Sequence, residues 1–227
     1  MSLTHGGKPI VTDGIVLCLD AGNPKSYPGS GTTWSDLSGN GNNGTLTNMD
    51  GANLDSANGG SFTFDGTDEY VNCGNDSSLN VGNNITVNVW FYVNQTASFD
   101  AIIAKVVNDY SLGWELDNSS GTFRVTLRPS ATQINLPAGS LSVGNWYMGT
   151  MTFDNTTARL YLNGVQTGST TTGGPVTLNS TEPLRIGGRV QTPNFEGNIA
   201  QVSIYNRALT ASEIQQNFNA LRGRFSI

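Results

Sequence analysis

Phe195–Phe218 reads FEGNIAQVSIYNRALTASEIQQNF, and two different periods meet inside it. From Ile199 to Asn206 the side chains alternate, with Ala200, Val202 and Ile204 on one side and Gln201 and Ser203 on the other beside Ile199 and Tyr205. A repeat of two is a β-strand with one packed face and one mixed face. The period then lengthens. Thr210 and Glu213 form a T-x-x-E capping box, and Leu209 and Ile214 stand where a hydrophobic staple brackets the cap. Ile214, Phe218 and Leu221 follow at i, i+4 and i+7 as a narrow apolar stripe. Arg222 in the last turn and Gly223 just beyond suit a helix end. The segment predicts a strand clipped by one short amphipathic helix, the one clear helical signal in the chain.

Elsewhere the period of two dominates. Ile85, Val87, Val89, Phe91 and Val93 share a face that must belong to a core, while Thr86, Asn88, Trp90 and Tyr92 lie opposite, open to a ligand or covered by a loop. Ile15–Leu19 is apolar on both faces and reads as a central strand. Further strands are expected over Phe62–Phe64, Tyr70–Cys73, Ala101–Val106, Tyr110–Leu116, Thr122–Leu127, Trp146–Phe153, Arg159–Leu162 and Leu184–Ile186. Asn163-Gly164 is a two-residue hairpin signal. Tyr27–Thr47, YPGSGTTWSDLSGNGNNGTLT, is too rich in Gly and Asn for regular structure and reads as a long loop anchored by Trp34 and Leu37.

Of the 227 residues only 12% are charged, and Gly numbers 28, a composition for short strands and tight turns rather than helices. A dozen such strands fit two packed antiparallel sheets, an all-β fold with one short C-terminal helix. Residues 1–13 form an N-terminal arm and 14–227 one domain, since no linker or repeat interrupts the pattern. The net charge of -6, with basic residues scattered, argues against nucleic acid or an anionic membrane as partner. No stretch approaches transmembrane length, and the N-terminus has no basic segment leading into an apolar run, so no secretory signal is expected. Cys18 and Cys73 sit in apolar strand-like segments and are expected to be buried free thiols.

Six stretches in this order resemble the laminin-G-like branch of the concanavalin A-like lectin/glucanase fold: Trp34–Leu46, Phe62–Gly74, Ile85–Val93, Trp146–Gly164, Leu184–Arg189 and Phe195–Ile214. The resemblance implies a jelly-roll sandwich with a concave face. The opening Gly6–Trp34 is also similar to proteins of tailed bacteriophages, especially those of marine and cyanobacterial hosts, where such domains serve as capsid decorations or fibres. That second resemblance implies a non-enzymatic virion surface protein, assembled in the host cytoplasm and present in many copies or as a homo-oligomer. Its partners would be capsid or other virion proteins and host-surface glycans. The alternative is a carbohydrate-binding lectin module, with calcium assistance left open.

Glucanase relatives carry E-x-D-x-E or E-x-D-x-x-E on one strand, and glycoside hydrolysis needs two opposed carboxylates. Here Glu115 and Asp117 would share a strand face, but Ser119 or Ser120 stands at the third position. The pair is expected to be a solvent-facing strand end beside a turn. His5, the lone histidine, lies in the arm, so no Ser/His/Asp, Cys/His or histidine-based metal arrangement exists. No catalytic residue is assigned, and no enzyme activity is expected. For calcium, Asp65 and Asp68 lie in the turn where the family often places a ligand. The carboxylate of the family's G-x-I-D pattern is missing from Gly197-Asn198-Ile199-Ala200, so the two aspartates read as turn formers and no metal ligand is assigned. A sugar platform would draw on Trp90, Tyr92, Trp114 and Tyr110 with Asn88. Rings on strands are more often core, and the packed reading is preferred, which leaves the ligand-binding residues unknown. The terminal Arg222–Ile227 reads as a frayed tail rather than a docking peptide.

Overall fold

The computed structural model describes residues 8–97, 99–106, 112–129, 133–191 and 195–227. His5 and Tyr110 lie outside them. The strands are β1 (Ile15–Asp20), β2 (Thr33–Trp34), β3 (Gly44–Thr47), β4 (Leu54–Asp55), β5 (Ser61–Asp65), β6 (Tyr70–Asn72), β7 (Asn84–Val93) and β8 (Phe99–Ala104). They continue with β9 (Gly113–Ser119), β10 (Thr122–Arg128), β11 (Ile134–Ser140), β12 (Trp146–Asp154), β13 (Thr157–Leu162), β14 (Val165–Thr171), β15 (Arg185–Ile186) and β16 (Glu196–Tyr205). One α-helix among the described residues, α1 (Ala211–Leu221), follows.

All strand pairs are antiparallel and form two eight-stranded sheets. The first runs β14-β13-β12-β7-β16-β5-β4, with β1 added beside β16; the second runs β11-β10-β9-β8-β15-β6-β3-β2. Their inner faces interdigitate around Val87, Val89, Phe91, Leu116, Phe123 and Val202. Gly149 on β12 is what lets Phe123 cross the gap, because a Cβ there would lie 2.5 Å from its ring tip. The Asn163-Gly164 turn joins β13 to β14 with both residues at positive φ, 53° and 80°, the geometry the dipeptide was expected to supply.

The alternation expected in β16 breaks at one place. Its register against β7 shifts between Ile199 and Gln201, so Ala200 is an extra residue. Ile199 therefore joins Val202 and Ile204 in the inter-sheet core, while Ala200 turns outward with Tyr205. Both faces of β16 are buried, not one, because α1 and its flanks cover the outer side.

That outer layer is a second core. Thr210 and Glu213 form the predicted capping box, and Leu209, Ile214, Phe218 and Leu221 are all buried against Trp90, Trp146 and Met148. Beyond α1 the chain tightens into a 3₁₀ turn at Arg222–Arg224 instead of ending on a left-handed Gly223. The expected frayed tail is a packed one. Phe225 is 3% exposed and lies 4.4 Å from the Trp90 ring and 4.5 Å from the Trp146 ring. Arg224 anchors it, with Nη1 donating to Asp20 at 2.7 Å and its other nitrogens to the carbonyls of Asn58 and Gly60. Residues 8–13 of the N-terminal arm lie in the same layer, where Ile10 and Val11 are buried and the Val11 N–H donates to Asn217.

The long Tyr27–Thr47 segment is partly regular, since it contributes β2 and β3. Its polar residues serve as an edge for β1, which pairs with one strand only and so is not central. Asp36 accepts from the Cys18 N–H, the Cys18 carbonyl accepts from the Leu37 N–H, and Ser38 and Asn42 both donate to the Val16 carbonyl. Cys18 and Cys73 are free and buried, and burial pushes both thiols up to about 12.

Candidate functional site

Trp90, Tyr92 and Asn88 occupy the outer face of the first sheet, beneath α1 and the tail. Trp90 is 1% exposed and stacks on Phe218 and Phe225. Asn88 is buried, accepting from Thr150 at 2.6 Å. Trp114 is in the inter-sheet core, on the opposite side of the molecule's first sheet from Trp90. These rings do not converge on a platform, and the packed reading describes them.

The outer face of the second sheet is built differently. Pairing of β9 with β10 sets Asp117 opposite Arg124 and Glu115 opposite Thr126, while β8 sets Ala101 and Ala104 beside the two carboxylates. Glu115 and Asp117 share this face, as their spacing predicts, but they are not solvent-facing: both side chains are 0% exposed. Arginines cover them. Arg128 donates to Glu115 at 2.9 Å, and Arg189, arriving from the segment after β15, makes two contacts with the same carboxylate. Arg124 Nε lies 3.0 Å from Asp117, whose other oxygen accepts from Thr126. The guanidinium groups of Arg189 and Arg124 also sit 4.5 Å and 5.4 Å from the Phe99 ring centroid.

Burial dominates the electrostatics of this cluster. It pushes the Asp117 carboxyl up to about 7, with the neighbouring Glu115 charge adding to the rise and Arg124 opposing it. Asp117 therefore holds a proton far more readily than an exposed aspartate. Ser119 and Ser120 end the strand, and Ser120 turns the chain at φ 51°, so no third carboxylate follows.

Farther along the same face, Arg185 on β15 pairs in register with Asn72 of β6 and Ala104 of β8. Its guanidinium lies 4.0 Å from the Tyr70 ring centroid, and Nη1 donates to the Val190 carbonyl at 3.1 Å. Thr45 and Thr47 of β3 stand opposite Asn72 and Tyr70. At the end of the sheet Lys105 is 1% exposed, and its ammonium donates to Asn75 and to the carbonyls of Ser180 and Glu182, clamping two loops. Burial brings it down to about 8.

None of these basic residues was singled out from the sequence. A signal existed for two of them: Arg124 and Arg128 fall on one face of their strand, as Glu115 and Asp117 do on the neighbouring one, so adjacent strands carry opposite charges on a shared face. Arg185 and Arg189 come from a short strand and an irregular segment and carry no periodic signal.

The turn at Asp65 and Asp68 is held by hydrogen bonds of its own. Asp65 accepts from the Thr67 N–H at 2.8 Å, closing the turn, and its own N–H donates to Glu69. Asn198, where the family pattern has a carboxylate, donates to the hydroxyls of Ser61 and Thr63. Among the described residues no group of three or more His, Cys, Asp or Glu is placed to hold a metal.

The comparisons bear on this architecture. The binding domain of Paraclostridial Mosquitocidal Protein 1 superposes with a TM-score of 0.70 at 18% identity, covering 92% of this chain and 52% of that one. The botulinum neurotoxin serotype D binding domain gives 0.71 at 16% identity, covering 92% and 51%. Trypanosoma rangeli sialidase in complex with the inhibitor DANA gives 0.65 at 16%, covering 93% and 34%. The chain thus spans about half of each toxin binding domain and a third of the sialidase, and likeness at these identities establishes the fold alone. A comparison with curated protein sequences finds no match. The laminin G-type family model described as the concanavalin A-like lectin/glucanases superfamily matches residues 65–215, which take in every strand of the second sheet except β2 and β3, the closing strand and the start of α1. The chain belongs to the concanavalin A-like lectin/glucanases superfamily.

Proposed function

We propose that this domain is a non-catalytic, lectin-like recognition module that binds a carbohydrate or receptor on the outer face of its second sheet. One observation carries the reading: Glu115 and Asp117 are fully buried and held by Arg124, Arg128 and Arg189. Glycoside hydrolysis needs two carboxyl groups facing a sugar from opposite sides. Carboxylates under guanidinium groups brace a sheet and leave contact to the residues around them. The toxin fragments, named as binding domains, support a binding role. We take recognition to be direct and independent of a metal ion, since Asp65 is engaged in closing its turn and Asn198 in holding Ser61 and Thr63.

The setting we propose is a bacteriophage particle, with the module as a capsid decoration or fibre component present in many copies. The phage-like opening Gly6–Trp34 motivates this. Multiple copies would raise weak single contacts to firm attachment through avidity. Mass spectrometry of purified particles should then find the protein at high copy number, and its absence from intact particles would remove the virion setting. A glycan array read with and without chelator, alongside reducing-sugar release from β-glucans, tests the module itself. Binding without turnover is expected; turnover abolished by Glu115→Gln would overturn it.

A further inference from the structure

On the outer face of the second sheet, the acidic partners are distributed unevenly. Arg124 is paired with Asp117, and Arg128 and Arg189 with Glu115. Arg185, on the same face, has no ion pair among the described residues. It is half-buried, stacked on Tyr70 and tethered through Nη1 to the Val190 carbonyl. Its Nε is buried with no hydrogen-bond partner. A donor on a charged group left in that state carries an unrecovered desolvation cost, which an incoming acceptor relieves.

The geometry around this guanidinium is that of a recognition point. The guanidinium lies over the Tyr70 ring, and the Val190 carbonyl occupies Nη1. Nη2 carries no hydrogen bond among the described residues and Nε lies covered beside it; a carboxylate that seats on Nη2 and displaces that cover completes the side-on fork, a pair of parallel donors that matches its two oxygens. Asn72 uses its Oδ1 to accept from the Gly74 N–H, which leaves its amide nitrogen as a donor. Thr33 and Thr45 are exposed in the same cross-strand row, and Thr47 is half-buried beside Tyr70, so a row of hydroxyls and an amide runs across the sheet from the guanidinium. One cation amid neutral polar groups suits a ligand with one negative charge. The protein's net charge of -6 disfavours polyanions, whose repulsion from the remaining surface grows with their charge.

We propose that Arg185, lying over Tyr70, binds the carboxylate of an acidic sugar, with Asn72, Thr45 and Thr47 contacting its hydroxyl groups. This rests on the recognition-module reading and names its ligand class. No bond is made or broken; the site discriminates by pairing a fork with a planar anion.

The test is an NMR titration of the full chain, following the Arg185 Nε–H cross-peak, with methyl β-D-glucuronide, the methyl glycoside of N-acetylneuraminic acid, glucose 6-sulfate and methyl β-D-glucoside. A saturable shift with at least one carboxylate sugar, weakened by added salt and absent with the glucoside, is expected. Arg185→Lys keeps the charge and loses the fork; it should bind that sugar at least tenfold more weakly at an unchanged melting temperature. The wild-type titration decides the matter even if that variant misfolds, and Tyr70→Leu, which removes the stack, should also weaken binding. The proposal is overturned if neither carboxylate sugar moves the cross-peak, if the sulfate binds in their place, or if Arg185→Lys binds equally well. Glycan-array binding restricted to neutral sugars would overturn this site while keeping the module; no glycan or receptor binding at all would remove both.

Discussion

Asp117 illustrates how burial outweighs an adjacent opposite charge. Its carboxyl is within 3.0 Å of Arg124 yet rises to about 7, because removing the carboxylate from water costs more than the pair returns. A folded-state value above the unfolded one means the folded protein binds the extra proton. The associated stability is fully present below about pH 4 and is lost as pH climbs through 7. Urea titrations between pH 4 and 8 should show this loss in the wild type and its absence in Asp117→Asn, the two differing by on the order of a few kcal/mol across the window. Glu115 behaves oppositely on removal. Glu115→Gln deprives two guanidinium groups of their shared carboxylate, and a cost of about 3 kcal/mol is expected in chemical denaturation. The pair was legible in the sequence as two carboxylates on one strand face. Their burial was not, because Arg189, one of the two arginines on Glu115, is 74 residues distant in the chain.

At the scale of elements, the C-terminal segment closes the molecule by a route that the sequence reveals only in part. The capping box, staple and apolar stripe of α1 follow directly from the residues at Leu209–Leu221, and Thr210→Ala should cost about 1 kcal/mol in thermal or chemical unfolding. Arg207 holds Glu213 in two contacts and, with the cap, brings its carboxyl down to about 2. Since the folded value lies below the unfolded one, that support is present above about pH 4.5 and disappears as pH falls toward 2. The docking of Phe225 was not legible, since a lone aromatic in a polar tail has no period. Phe225→Ala should leave Trp90 and Trp146 facing water, lowering stability by about 3 kcal/mol and red-shifting tryptophan emission. The strands show the same division. β7 is readable because ten residues alternate against a buried sheet, whereas β2 and β4, at two residues each, are too short to show a period. β11 carries Pro137 and β14 little but Thr, Ser and Gly; both lie at sheet edges, where proline and polar residues are tolerated. The bulge at Ala200 inverted the face assigned to Ile199, since one extra residue moves a side chain across the sheet.

At the scale of the whole molecule, three layers share the work. The inter-sheet core and the helix layer bury the large apolar side chains on both faces of the first sheet. The second sheet has its inner face in that core, and charged residues occupy the outer face, where ion pairs rather than apolar burial hold the side chains. Rigidity of that face therefore comes from ion pairs within the fold. An ion bound only by the folded state at a hundredfold excess over its dissociation constant would add about 2.7 kcal/mol to stability and raise the melting temperature by several degrees. In this chain the Asp65 turn is closed by Thr67 and Glu69, and Asn198 is bonded to Ser61 and Thr63, so we expect no comparable increment there. Calorimetry with millimolar calcium and with EDTA should accordingly give melting temperatures within about a degree of each other, and glycan binding should be equal in the two buffers. A rise of several degrees with calcium, lost in Asp65→Asn, would require a coordination site that these side chains rearrange to make, and would move the recognition chemistry from the guanidinium face to the β5–β6 turn.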